Sequence, residues 1–144
     1  MATTYNPKIT TDGLVLNLDA ADNNSYPGSG TNWGDLSGNG NDFTLEASGI
    51  THNSNGYFDL SNGGAIGNFN TEPSNIYDNF PDGQWHMVEF KNVDMSGIDT
   101  NEFNNYSSYT FTSSKVGIIQ LYDRNLTSKE SAQNFNAQRS RFGV

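Results

Sequence analysis

Turn-forming residues interrupt this sequence so densely that its apolar residues fall into short runs before Thr127. Residues 19–42 are the extreme case, rich in Asp, Asn, Ser and Gly, and they contain Tyr26-Pro27-Gly28-Ser29-Gly30 and Ser37-Gly38-Asn39-Gly40-Asn41. Proline presets φ for a turn, and Gly and Asn tolerate positive φ, so both segments read as turns. Asn39-Gly40 is also a favoured pair for a tight hairpin. A chain punctuated this way is restricted to short strands over most of its length.

The runs between the turns agree. Leu14-Val15-Leu16-Asn17-Leu18 puts Leu14, Leu16 and Leu18 on one face, the period-two signature of a half-buried strand. Phe43 and Leu45 alternate in the same way, and Phe58 and Leu60 share a face within Gly56-Tyr57-Phe58-Asp59-Leu60. Gln84-Trp85-His86-Met87-Val88-Glu89-Phe90 reads as a strand with apolar residues on both faces, with Trp85 in the core. Ser107 to Thr112 reads as another, with Tyr109 and Phe111 on one side. Val116 to Tyr122 is almost continuously apolar, which suits a strand buried on both faces.

The one helix signal is terminal. Thr127-Ser128-Lys129-Glu130 is a capping box, in which the Thr hydroxyl and the Glu carboxylate satisfy opposite backbone donors. Ala132, Phe135 and Phe142 then fall on one stripe; Arg139 and Arg141 suit the negative pole of the helix dipole, and Gly143 can end it. The pattern predicts an all-β chain, an antiparallel β-sandwich or jelly roll with one short C-terminal helix. Residues 1–12, polar and aperiodic, read as an extended N-terminal arm, and 13–144 as a single sandwich domain. The length of 144 residues fits one domain.

Composition narrows the function. Hydrophobic residues make up only 33%, but 15 glycines and an aromatic content of 12% argue for a compact fold with long polar turns rather than a disordered chain. A net charge of −9, with 7 basic residues, repels phosphate backbones and anionic membranes, so neither nucleic acid nor membrane is an expected partner. With no cysteine there is no disulfide, thiolate metal site or cysteine nucleophile. Met1-Ala2-Thr3-Thr4-Tyr5 has neither a basic nor an apolar leader region, so no signal peptide is expected, and no apolar run approaches the ~20 residues of a membrane helix.

Two segments carry a family resemblance. Gly13 to Ala20, Ser25 to Trp33 and Asp35-Leu36-Ser37-Gly38-Asn39-Gly40-Asn41-Asp42 resemble the opening of concanavalin A-like (LamG-like) lectin/glucanase domains, above all those in virion proteins of tailed phages. Val116 to Thr127, continuing through Asn134-Phe135-Asn136-Ala137, is similar to the last strand and short helix of the same domains. Gly56 to Leu60 and Gln84 to Val88 look like two interior strands. Such domains usually run longer; here residues 61–83 and 91–106 are short, Asn-rich substitutes, so the resemblance implies a trimmed jelly roll with exposed edge strands that need a cover.

The expected function follows from the resemblance and from what is missing. Glucanase relatives need closely spaced Glu and Asp on one strand, one to protonate the leaving oxygen and one to attack or stabilise. Glu46, Asp59, Glu72, Glu89 and Glu102 are scattered, so a non-enzymatic chain is expected. The resemblance implies a phage virion structural protein, a capsid decoration (cement) or small tail or fibre subunit that assembles with other virion proteins and with copies of itself. Its arm, with Tyr5, Asn6, Pro7, Lys8 and Ile9, would add backbone hydrogen bonds to a neighbour. The alternative is a carbohydrate-binding module for host surface glycans. For that role Tyr26 and Trp33 are the stacking candidates, against a reading of Trp33 as packed in its turn. Asp19, Asp22 and Asn23 form an oxygen-rich patch suited to Ca²⁺, or a turn in which they bond their own backbone. His52 and His86 have no partner at metal-ligand spacing, and no other cofactor is expected.

Overall fold

The computed structural model describes residues 8–45, 49–59, 84–87, 89, 91 and 115–144, and the backbone of 65–66 and 111–112. In chain order its strands are β1 (Leu14–Asp19), β2 (Asn32–Trp33), β3 (Phe43–Thr44), β4 (Thr51–Asn53), β5 (Tyr57–Asp59), β6 (Ala65–Ile66), β7 (Phe111–Thr112), β8 (Lys115–Val116) and β9 (Ile118–Tyr122), followed by the helix α1 (Ser128–Phe142). All pairings among them are antiparallel: β1 with β9, β2 with β3, β5 between β4 and β8, and β6 with β7. The described residues thus form small antiparallel sheets with one helix.

The alternation of β1 places Leu16 and Leu18 inward, where they are fully buried, while Leu14 is half-buried. They join Ala20, Tyr26, Trp33, Phe43, Leu45, Phe58, Val116 and Ile119 in one core. The stretch Lys115–Tyr122 serves two sheets. Its first end pairs with β5, matching Phe58 to Val116, and its second pairs with β1, matching Leu18 to Ile119. Between them the Gly117 carbonyl accepts from the Ala20 N–H at 2.9 Å. This stretch is not buried on both faces as its composition suggests. Val116 and Ile119 point inward and Leu121 packs half-buried against the same core, whereas Ile118 and Tyr122 are half-buried, because only one side of the strand faces the core.

The Asn39-Gly40 pair does not make a two-residue hairpin. Asn32 pairs with Thr44 and Trp33 with Phe43, so the connection runs through residues 34–42. Asp35 organises it. One carboxylate oxygen accepts from the backbone N–H groups of Asn17 and Ser37 at 2.9 and 2.8 Å, and the other from the Ser37 hydroxyl at 2.7 Å and the Asn41 N–H at 3.1 Å. The Leu36 N–H donates to the Asn17 carbonyl at 2.8 Å, and the Asn41 side-chain amide and the Ser37 hydroxyl donate to the Val15 carbonyl at 2.8 and 3.1 Å. Val15 and Asn17 are the β1 residues whose backbone groups point away from β9. The loop therefore caps the free edge of β1 with its own side chains, and at this strand the expected exposed edge is covered from within the chain.

Residues 84–87 form no strand, and Met87 is 42% exposed; the remainder of that expected strand, Val88 and Phe90, lies outside the described residues, as do Leu60 and Ser107 to Thr110. The helix begins and ends as its caps dictate. The Thr127 hydroxyl accepts from the Glu130 N–H, the Glu130 carboxylate accepts from the Thr127 N–H at 2.9 Å, and Gly143 adopts φ 71° as the left-handed cap. Its inner face is a correction. Ala132 is exposed, Phe135 and Phe142 are half-buried, and the buried residue of α1 is Asn134. The helix docks by hydrogen bonds along its length and by the Phe142 ring at its end, not by the whole apolar stripe. Asn134 accepts from the Thr10 N–H at 2.8 Å and donates to the Tyr122 hydroxyl at 3.0 Å, and that hydroxyl donates to the Thr10 carbonyl at 2.9 Å. Gln133 donates to the Lys8 carbonyl at 2.7 Å. The last part of the expected arm, from Lys8 through Ile9 to the buried Thr10, is thereby fastened to the chain's own helix; Tyr5, Asn6 and Pro7 lie outside the described residues.

Candidate functional site

Among the described residues, two aromatic clusters lie on either side of β5, separated by its alternation. Phe58 points inward, fully buried, edge-on to Trp33 at 4.7 Å and to Tyr26 at 4.8 Å between ring centroids. His52 closes this inner cluster, 4.8 Å from Tyr26, with its Nε2 donating to the Ala20 carbonyl at 2.9 Å. Trp33 is 0% exposed and Tyr26 6%. Stacking on a sugar requires a ring face open to solvent, so Tyr26 and Trp33 are corrected from glycan candidates to core residues. The reason is the short β2–β3 pairing, which turns Trp33 inward beside Phe43 even though its neighbours in sequence are turn-forming. Tyr26 also donates its hydroxyl to the Gly30 carbonyl at 3.0 Å, and burial pushes its phenol pKa upward.

The oxygen-rich patch is likewise committed elsewhere. Asp19 accepts from the Ala21 N–H at 2.9 Å and takes the Arg141 guanidinium on both oxygens at 2.8 Å. Asp22 accepts from the Asn24 backbone and side chain at 2.8 and 2.9 Å, and Asn23 is exposed. Among the described residues no group of three or more His, Asp or Glu side chains converges to hold an ion. Asp22 has its turn role, and Asp19 has a role that spacing could not show: it anchors the end of α1.

The second aromatic cluster is open. Tyr57, the neighbour of Phe58 on β5, faces outward, and Trp85 packs against it at 5.4 Å and against Phe142 at 4.6 Å. Lys115, on β8 opposite Asp59, holds its ammonium 5.2 Å from the centre of the Tyr57 ring. The Arg141 guanidinium lies 4.8 Å from the centre of Phe142. Together with Asn55, from the turn between β4 and β5, these residues line a groove of about 400 Å³. Two glycines make the geometry possible. Gly117 lets Phe142 lie against the strand backbone, since a Cβ there would sit 2.7 Å from the ring. Gly56, at φ 84°, turns the chain into β5 where any side chain would collide with Ala21.

The segment carrying Trp85 is held along the helix. Glu89 accepts from the Ser131 hydroxyl at 2.8 Å and pairs with Lys91 at 3.5 Å, and Lys91 donates to the Leu126 carbonyl at 3.1 Å. Beneath it Arg124 bridges Glu130, at 2.6 and 3.0 Å, and Asp12, at 2.8 Å. The Arg124 guanidinium, helped by bonds from Thr127, pulls the Glu130 carboxyl down to about 2.

Chemically, the groove presents three ring surfaces, an ammonium, a guanidinium and a side-chain amide. The six lining residues can hold a ligand by ring stacking, by charge and by hydrogen bonds from the Asn55 amide and the Tyr57 hydroxyl. Sequence reasoning placed Trp85 in the core and passed over Tyr57, Lys115 and Arg141 as ligand-facing groups. One signal for Tyr57 was present: once Phe58 is assigned inward, its neighbour must face out. No membrane-spanning helix occurs among the described residues. Comparison with known proteins finds no matching family model, no matching curated protein and no matching solved structure.

Proposed function

We propose that the chain is a non-enzymatic β-sandwich of the trimmed concanavalin A-like jelly-roll type that acts as a phage virion structural protein, a capsid decoration or small tail or fibre subunit. The observation that supports this reading is the meeting of its two end motifs. The opening segment supplies β1 and the closing segment supplies β9; they pair over their length and contribute Leu16, Leu18 and Ile119 to one core. Assembly would proceed by docking a preformed surface on a lattice of virion proteins or on copies of itself, with the arm residues Tyr5, Asn6 and Pro7 adding backbone hydrogen bonds to a neighbour. Repeated neighbours would then act as effectively intramolecular partners, which raises occupancy without strengthening any single contact. Mass spectrometry of purified particles tests it. Stoichiometric copies are expected, and absence from particles at every stage of assembly would overturn the reading.

A second reading has its own observation. The open groove of Tyr57, Trp85 and Phe142 has the ring surfaces that a carbohydrate-binding module needs, and it replaces Tyr26 and Trp33 as the place where a host surface glycan would stack. Because Asp19 and Asp22 already have partners, this binding would not require calcium. A glycan array followed by calorimetry, with and without EDTA, checks both points. Heat of binding unchanged by EDTA is expected; no binding at millimolar sugar removes the reading.

A further inference from the structure

We infer that the groove between β5, β8 and the end of α1 takes an acidic saccharide, its carboxylate on Lys115 and the C–H face of its ring on Trp85 and Tyr57. The inference rests on the glycan-binding reading and names the class of sugar.

Charge carries it first. In a chain of net charge −9 with 7 basic residues, two of those seven line this one groove. Their states differ. Arg141 is held by Asp19 on both carboxylate oxygens, so its charge is met and its role is to keep the Phe142 edge of the groove in place. Lys115 forms no ion pair with a carboxylate among the described residues, although Asp59 stands opposite it in the β5–β8 register. Its ammonium instead lies 5.2 Å from the centre of the Tyr57 ring, at the groove. An ammonium placed over a ring at the mouth of an aromatic cleft attracts an anion that also has an apolar face.

Shape decides which anion. The rings of Tyr57, Trp85 and Phe142 meet at 60° and 40°, forming an angled wall rather than a deep slot. A pyranose presents a flat patch of C–H groups to such a wall and its hydroxyls to the rim, where the Asn55 amide can both donate and accept. An acidic peptide would satisfy Lys115 but has no comparable flat face for the rings, and a neutral sugar would use the rings and leave Lys115 idle. A carboxylated pyranose uses all of them.

Calorimetry on the full chain tests this with a glucuronate-containing oligosaccharide, its carboxyl-reduced neutral counterpart of the same linkage, and an oligoglutamate peptide. The acidic sugar is expected to bind about tenfold more tightly than the reduced one, the scale of one charge-assisted hydrogen bond. That margin should vanish in Lys115→Met and shrink with added salt, while Trp85→Ala should abolish binding of both sugars. Thermal melts of the two variants establish that they are folded, and Lys115→Arg should retain the preference. Equal binding of acidic and reduced sugars overturns the inference and leaves glycan binding standing. Equal binding of oligoglutamate and the acidic sugar overturns it as well, since charge alone would then suffice. No binding of either sugar overturns both this inference and the reading beneath it.

Discussion

Tyr57 and Phe58 are neighbours on one three-residue strand, yet they belong to different parts of the molecule. Phe58 is sealed among Trp33, Tyr26 and His52; Tyr57 lines an open wall with Trp85 and Phe142. The two clusters contain the same kinds of ring and differ in what completes them. The inner one is closed by Leu16, Leu18, Phe43 and Val116, so its ring area is withdrawn from water and stabilises the fold by roughly 1.5–3 kcal/mol for each large side chain. The outer one lines a groove with Lys115, Arg141 and Asn55, and its three rings are half-buried. One strand thus sends one ring into the sealed core and its neighbour into the groove.

The comparison breaks most readily at Trp33. Trp33→Ala removes a fully buried ring and is expected to destabilise the chain by about 3–5 kcal/mol in denaturant unfolding, the range for aromatic truncation in a core. A loss below about 1 kcal/mol would mean that the inner cluster does not hold the fold. Next in size is the polar joint under the helix. Asn134→Ala strands the Thr10 N–H and removes a donor from the Tyr122 hydroxyl, with an expected loss of about 1–3 kcal/mol and faster hydrogen exchange at Thr10. Trp85→Ala should fall below both, at about 1 kcal/mol or less, because its ring is only half-buried. If Trp85→Ala unfolds the chain as Trp33→Ala does, the two clusters are one core.

The smallest effect is on acid stability. Burial pushes the Asp35 carboxyl up, but its bonds from Ser37, Asn17 and Asn41 outweigh that and hold it below the usual range. Glu130 is pulled from 4.5 to about 2, first by Arg124. A carboxyl whose folded pKa lies below its unfolded pKa releases its proton more readily in the folded chain. Its contribution is therefore present above the ordinary carboxylate pKa and is lost as pH falls through the lowered one. Denaturant midpoints measured from neutrality downward should fall across that window, and Glu130→Gln should flatten the decline nearest about pH 2. A midpoint that rises on acidification would contradict the assigned direction.

Much of the local structure was legible in the residues. Leu16 and Leu18 announce the inner face of β1 by alternation, Thr127 and Glu130 mark the start of α1 through side chains that satisfy its backbone donors, and Gly143 marks its end by a left-handed cap. What was not legible depends on distance along the chain. Asp35 bonds Asn17 across 18 residues and Asn134 bonds Thr10 across 124, and neither partner can be identified before the register is known. A search for apolar stripes also cannot find a helix whose buried residue is an asparagine. Trp33 was left between two readings because its turn-rich neighbours point outward, and only the pairing with Phe43 turns the ring inward. The groove was missed for the same reason: Trp85 meets Phe142, and Phe142 lies against the backbone at Gly117, where a Cβ would collide with its ring.

The chain's two tryptophans, one in each cluster, permit a direct test. In Trp85→Phe the remaining indole is Trp33, and in Trp33→Phe it is Trp85. Acrylamide quenching of the folded variants is expected to leave Trp33 blue-shifted and almost unquenched until denaturant unfolds the chain, while Trp85 is quenched at once and is protected by a bound saccharide. Equal quenching of both indoles in the folded state would contradict the division between a sealed cluster that holds the fold and an open one that binds.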